Sequence, residues 1–174
     1  MVNGIQRSIL KARAKRLARQ EEPLTISSDD DFHIMVFVVA GQSYACDGLM
    51  VREVSLCKEL TRIPCTPPYI AGVVNVRSEI IPALDTRYLF QLPPGWTATS
   101  KLIILQDNET RLGILADDVL GVEKISLSTL RPPLANMTQE QSRHIRGLTE
   151  NAVIVIDVLS LMNDPRLVVN ETVD

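Results

Sequence analysis

The spacing of hydrophobic and polar positions changes at about residue 32. Before it, Leu10, Ala14, Leu17 and Ala18 fall at i, i+4, i+7 and i+8, which predicts an amphipathic helix over residues 5–22. Arg7, Lys11, Lys15 and Arg19 run along it as a basic ridge. An isolated helix this short is marginal without a docking surface, which favours a solvated face over an anchor onto an acidic partner or anionic lipid. Residues 21–31, with Pro23, Ser27, Ser28 and three aspartates, read as a polar linker.

From residue 32 the rhythm is that of short strands. Residues 32–40 and 42–47 form a hairpin turning at Ala40-Gly41. Val51-Arg52-Glu53-Val54 alternates apolar and charged side chains, placing Arg52 and Glu53 at or beside a strand surface. Pro64, Pro67 and Pro68 lack an N–H and exclude a central strand, so the next strand begins after them. Residues 69–72 leave room for one helical turn. Residues 73–76 and Ile80-Ile81 then make a second hairpin, with Arg77-Ser78-Glu79 as a charged tip. Asp85 caps a short helix over 86–90, and 92–100 is a loop. Strands follow at 102–105, 111–116 and 119–125, with a turn at Asp107-Asn108-Glu109. Pro132-Pro133 makes 126–137 irregular. Residues 144–148 and 152–156 form a final hairpin, Asp157 caps a helix over 158–162, and 168–174 is a frayed end. Many short strands with turns every 8–12 residues predict an all-β fold of barrels or a sandwich.

Charge narrows the partners. Six of the 18 basic residues lie in residues 1–22 against Glu21 and Glu22, leaving 12 basic and 19 acidic residues elsewhere. An acidic body argues against a general grip on nucleic acid, which needs clustered Lys and Arg, and 4% aromatics argues against base stacking. The longest apolar run, 34–40, is far shorter than the ~20 residues that span a bilayer. The N-terminus carries charges where a signal peptide is apolar, so a cytoplasmic protein is expected. Cys46, Cys57 and Cys65 read as reduced thiols, two of them in apolar contexts.

Catalytic chemistry has no visible seat. No phosphate-cradling loop, nucleophile elbow or zinc-binding His-Glu-x-x-His is present, and no cofactor is expected. Asp117-Asp118 could suggest a cation site or an acid/base pair. Adjacent residues in a strand point to opposite faces, so a turn with solvated charges is expected instead. His144, flanked by Arg143 and Arg146, could read anions, but a loop-edge cluster without function is the safer expectation.

The stretch 63–85 resembles the signature of CheW-like domains, the adaptors of bacterial chemosensory arrays. Ile63-Pro64, Pro67, Tyr69-Ile70, Gly72-Val73, Asn75, Val76, Arg77, Ile80-Ile81-Pro82 and Asp85 carry the resemblance, with Ser78 where the family usually has Gly. Val51-x-Glu53-Val54 is a second landmark, and 112–119 resembles the family's Gly-aliphatic-aliphatic-x-Asp-x-Val segment. The resemblance covers about residues 32–162, dividing the chain into a leader and linker, 1–31, and a CheW-like domain, 32–174. It implies two five-stranded SH3-like barrels packed around a shared apolar core. It further implies a Glu53–Arg77 pair and a non-enzymatic adaptor joining a chemoreceptor's cytoplasmic tip to the regulatory domain of a CheA-type histidine kinase, near the membrane through the receptor array. The partner-binding residues it implies are Val51, Glu53, Gly72, Asn75, Arg77 and Ser78. The competing expectation is an independent SH3- or OB-like barrel that binds a peptide or nucleic acid.

Overall fold

The computed structural model describes residues 31–93, 95, 100–135 and 137–166. The expected leader helix, nearly all of the linker and the tail 168–174 lie outside the described residues. Among the described residues no helix is long and apolar enough to cross a membrane.

Ten strands form two five-stranded sheets. They are β1 (Asp31–Val39), β2 (Gln42–Asp47), β3 (Val51–Leu56), β4 (Ile70–Val76), β5 (Glu79–Leu84), β6 (Lys101–Asp107), β7 (Thr110–Ala116), β8 (Asp118–Ser126), β9 (Ile145–Leu148) and β10 (Ile154–Ile156). Three short helices, α1 (Thr86–Leu89), α2 (Gln139–Ser142) and α3 (Val158–Met162), complete the fold. The first sheet has the order β8-β1-β2-β10-β9 and the second β3-β6-β7-β5-β4. In each, all neighbours are antiparallel except one parallel pair, β2 with β10 and β5 with β7.

The central strands are apolar on both faces because each sheet is covered twice. In β6, Ile103 and Leu105 enter a core shared by the two sheets, whereas Leu102 and Ile104 enter a smaller core belonging to the second sheet. In β1, Phe37 and Val39 face the shared core, and Ile34 and Val36 a separate core of the first sheet. Each such fully buried side chain stabilises the fold by about 1.5–3 kcal/mol relative to exposure. Tyr44 lies between Phe37 and Phe90, with ring centroids at 6.2 and 5.0 Å, and burial pushes its phenol up to about 12.

Two local readings are corrected. Residues 69–72 form no helical turn, because Ile70 already pairs with Leu84 at the start of β4. Residues 139–142, unassigned from the sequence, form α2, with a capping box in which Thr138, the N-cap, and Gln141 satisfy each other's backbone N–H. The expected N-caps are present: Asp85 accepts from Arg87 N–H at 3.1 Å and Asp157 from Ser160 N–H at 2.9 Å. Cys46 and Cys57 are buried free thiols, and Cys65 is exposed.

A candidate partner-binding surface

The β4–β5 hairpin is closed by a two-residue turn. Val76 pairs with Glu79, so Glu79 is the first residue of β5 and the tip is Arg77-Ser78 alone. Both tip residues have positive φ, 51° and 69°, the requirement of a type I′ turn, whose twist matches that of the flanking strands. Neither is glycine, so the turn carries left-handed strain at Ser78. Val74 and Ile81 point into the second sheet's own core, which leaves Asn75, Arg77, Ser78 and Ile80 exposed.

Charged side chains from three strands meet beside the tip. Arg77 pairs with Glu53 of β3 at 2.8 Å, with the arginine 76% exposed and the glutamate half-buried, so much of the guanidinium is free for another acceptor. Glu79 takes Arg52 of β3 at 3.0 Å and Arg111 of β7 at 2.5 Å. Desolvation pushes the Glu79 carboxyl up, but hydrogen bonds from the two arginines outweigh it and hold the group below its ordinary value. An open groove of about 520 Å³ adjoins the tip, lined among others by Leu56, Lys58, Asn75, Val76 and Arg77. Its lining joins apolar Leu56, Val74 and Val76 to charges of both signs, Lys58, Arg77 and Glu59, a mixture suited to contact with a protein surface.

The six residues singled out from the sequence divide into two groups. Glu53, Asn75, Arg77 and Ser78 gather at the tip. Val51 is half-buried against the shared core, and Gly72 is buried within β4. Gly72 has φ +151°, and a Cβ there would lie 2.3 Å from the carbonyl oxygen of Thr61, which exchanges two hydrogen bonds with Val73. Both features demand glycine. Sequence reasoning placed Glu79 in the charged tip but missed Leu56, Ile80 and Arg111 as parts of this surface. Ile80 was accessible from alternation, since Ile81 points inward. The meeting of Arg111 with Glu79 depends on which strands become neighbours.

Two charged clusters make structural bonds that the sequence did not show. Asp117 accepts from the Ala40 N–H at 2.7 Å and pairs with Arg87, whose side chain is buried and also bonds Asp85 at 3.2 Å. Asp117 stays exposed in a bend between β7 and β8, as the expected turn with solvated charges requires, and what the sequence did not show is its pairing with the buried guanidinium that α1 delivers. Asp118, exposed, accepts only from the adjacent Val119 N–H among the described bonds. His144 is not at a loop edge. It is buried, with Nε2 2.8 Å from Asp164 and Nδ1 3.0 Å from the Ser160 hydroxyl. Hydrogen bonds from Arg166 hold the Asp164 carboxyl well below the usual carboxylate range, so it stays ionised and accepts a hydrogen bond from the His144 Nε2–H. Burial, aided by Arg166 and Arg143, lowers the His144 pKa despite the opposing pull of Asp164. Among the described residues no group of three or more His, Cys, Asp or Glu could hold a metal ion.

The family model of the CheW-like domain matches residues 33–166. The chain belongs to the CheW-like domain family. It is 26% identical over 159 residues to the chemotaxis protein CheW of Treponema pallidum, covering 87% of this chain and 93% of that protein. With the chemotaxis protein CheW of Bacillus subtilis it shares 31% identity over 133 residues, 70% of this chain and 85% of the other. The solved structure of the scaffolding protein TtCheW from Thermoanaerobacter tengcongensis superposes with a TM-score of 0.63 at 30% identity, covering 72% of this chain and 88% of that one. In this CheW-like chain three signature residues have a visible physical task. Gly72 admits the Thr61 backbone, Asp85 caps α1, and Arg77 stands at a turn held by two strands.

Proposed function

We propose that this protein is a chemotaxis adaptor that couples the cytoplasmic tip of a methyl-accepting chemoreceptor to the regulatory domain of a CheA-type histidine kinase. Membership of the CheW-like family across residues 33–166 carries the reading. The protein is read as a cytoplasmic scaffold without a cofactor or turnover of its own, brought near the membrane by the receptor array. Its domain is taken as 32–174, preceded by the leader and linker 1–31.

Each sheet is read as an SH3-like barrel. Support comes from the chain beyond β3 and β8, which returns to bridge the opposite edge strand: Thr61 with Val73, and Arg131 with Leu148. The partner surface is read as the β4–β5 tip with its groove. Glu53, Asn75, Arg77 and Ser78 make contact there, and Val51 and Gly72 act through the strands they hold. An arginine on a rigid turn can donate forked hydrogen bonds to a carboxylate or to backbone carbonyls.

Arg77→Ala should change stability by less than about 1 kcal/mol, as expected for an exposed ion pair. It should weaken binding by roughly 2 kcal/mol if Arg77 lies at an interface centre. Glu53→Ala should share part of that loss, so the double variant is less than additive. Calorimetric titration against receptor-tip and kinase-regulatory fragments, with melting curves on the same samples, measures both quantities. Unchanged affinity for both fragments removes Arg77 from the surface. Failure of the wild-type protein to bind either fragment removes the adaptor reading itself.

A further inference from the structure

Apolar contact between the two sheets supplies attraction but little direction, because burial energy scales with area rather than orientation. Among the described residues, three side-chain bonds join one sheet's elements to the other's. The Tyr69 hydroxyl, just before β4, donates to the backbone carbonyl of Arg166, which follows α3. Gln141 of α2 donates to the Phe90 carbonyl at the end of α1, at 3.2 Å. The third is charged. Arg87, on the helix that follows β5, reaches Asp117 at the junction into β8. Asp117 is itself fastened to the first sheet twice: its N–H donates to the Val38 carbonyl at 2.8 Å, and its carboxylate accepts from the Ala40 N–H in the β1–β2 turn.

We propose that Arg87, through Asp117, is a fastener that fixes the angle between the two sheets. Its side chain is only 2% exposed and bonds one carboxylate on each side of the junction, Asp85 in its own half and Asp117 in the other. A planar guanidinium with several donors in fixed directions constrains orientation in a way that a lysine ammonium or an apolar side chain does not. With Asp117 removed, Arg87 retains Asp85, the β1–β2 turn loses its acceptor at Ala40, and the Tyr69 and Gln141 bonds become the pivots. The angle is the quantity that a partner touching both sheets would read. The fastener itself belongs to the free protein, whichever partners bind.

The test measures the distance between one spin label on each sheet. Cys65→Ser removes the exposed thiol, and Glu109→Cys in the β6–β7 turn and Glu150→Cys in the β9–β10 turn supply exposed attachment points. In this background Asp117→Ala should displace or broaden the distance distribution while the protein stays folded, and Arg87→Met should do so more strongly. Asp118→Ala, which removes the neighbouring exposed carboxylate, should leave the distribution unchanged. A folded Asp117→Ala protein with the parent distribution overturns the proposal. So does an equal change in Asp118→Ala, or unfolding of Asp117→Ala, which would make the carboxylate a requirement of the core rather than a setting of its geometry.

Discussion

The two sheets have the same plan and different charged interiors. Laid side by side, β8, β9, β10, β1 and β2 correspond to β3, β4, β5, β6 and β7 in order, direction and pairing. The first sheet is thus a circular permutation of the second. Its β1–β2 hairpin is supplied from the start of the domain, and the whole second sheet lies between β2 and β8 in sequence. Local devices repeat as well. Asp85 and Asp157 cap the helices that follow equivalent strands. Gly72 and Gly147 occupy equivalent places beside the bridges that return from β3 and β8, where a Cβ would meet the Thr61 and Arg131 carbonyl oxygens at 2.3 and 2.7 Å. The buried charges do not repeat. The second sheet's half holds Arg87, bonded to two carboxylates, and the first holds His144, whose pKa burial lowers. Backbone devices follow from topology and recur with it, whereas each buried ionic group answers to its own surroundings.

The sharpest way to break the comparison is to remove the buried arginine. Arg87→Leu leaves Asp85 buried without its cation and should cost about 3–5 kcal/mol in urea unfolding. A loss below about 1 kcal/mol would mean that the buried carboxylate finds another partner. The paired glycines come next. Gly72→Ala combines the closer approach with a φ of +151° and should cost about 2–3 kcal/mol, against about 1–2 kcal/mol for Gly147→Ala. Equal losses would show that φ at Gly72 adds nothing.

His144 should give the first half a pH response between its lowered value and 6.5. The folded state holds the His144 pKa below its ordinary 6.5, so between those two values the unfolded chain binds more protons. Stability contributed by neutral His144 is therefore present above pH 6.5 and lost as pH falls through that window, at no more than about 1.4 kcal/mol per unit. The depressed Asp164 contributes in a separate, more acidic range, losing stability as pH falls below the ordinary 3.8. Urea unfolding at a series of pH values should show the first slope in wild type and its absence in His144→Gln. A slope that survives the substitution assigns it to other groups.

The smallest effect separates the two type I′ turns. The β1–β2 turn places Gly41 at its second position with φ 79°, and the β4–β5 turn places Ser78 there with φ 69°. Ser78→Gly relieves left-handed strain but adds freedom to the unfolded chain, so a gain of at most about 1 kcal/mol is expected in thermal melts. A loss would show that the serine side chain contributes more than its backbone strain costs.

The sequence alone determined the strands, most of their turns, both aspartate caps and the hairpin that presents Arg77. These depend on neighbours a few residues apart: β-branched alternation, proline without an N–H, carboxylates beside free N–H groups. The family signature in 63–85 was legible for the same reason, being local, and it supplied the Glu53–Arg77 pair that spacing could not. Only the tertiary structure decided which charges are buried. The pairing of exposed Asp117 with buried Arg87, and the burial of His144 beside Asp164, were not legible because those partners lie 30 and 20 residues away. It also decided the permuted pairing of the sheets, and with it the convergence of Arg52, Glu79 and Arg111. The physical reason is that hydrophobic patterning specifies which face of a strand is buried but not which strand lies beside it. Electrostatic partners are chosen only once those neighbours are fixed.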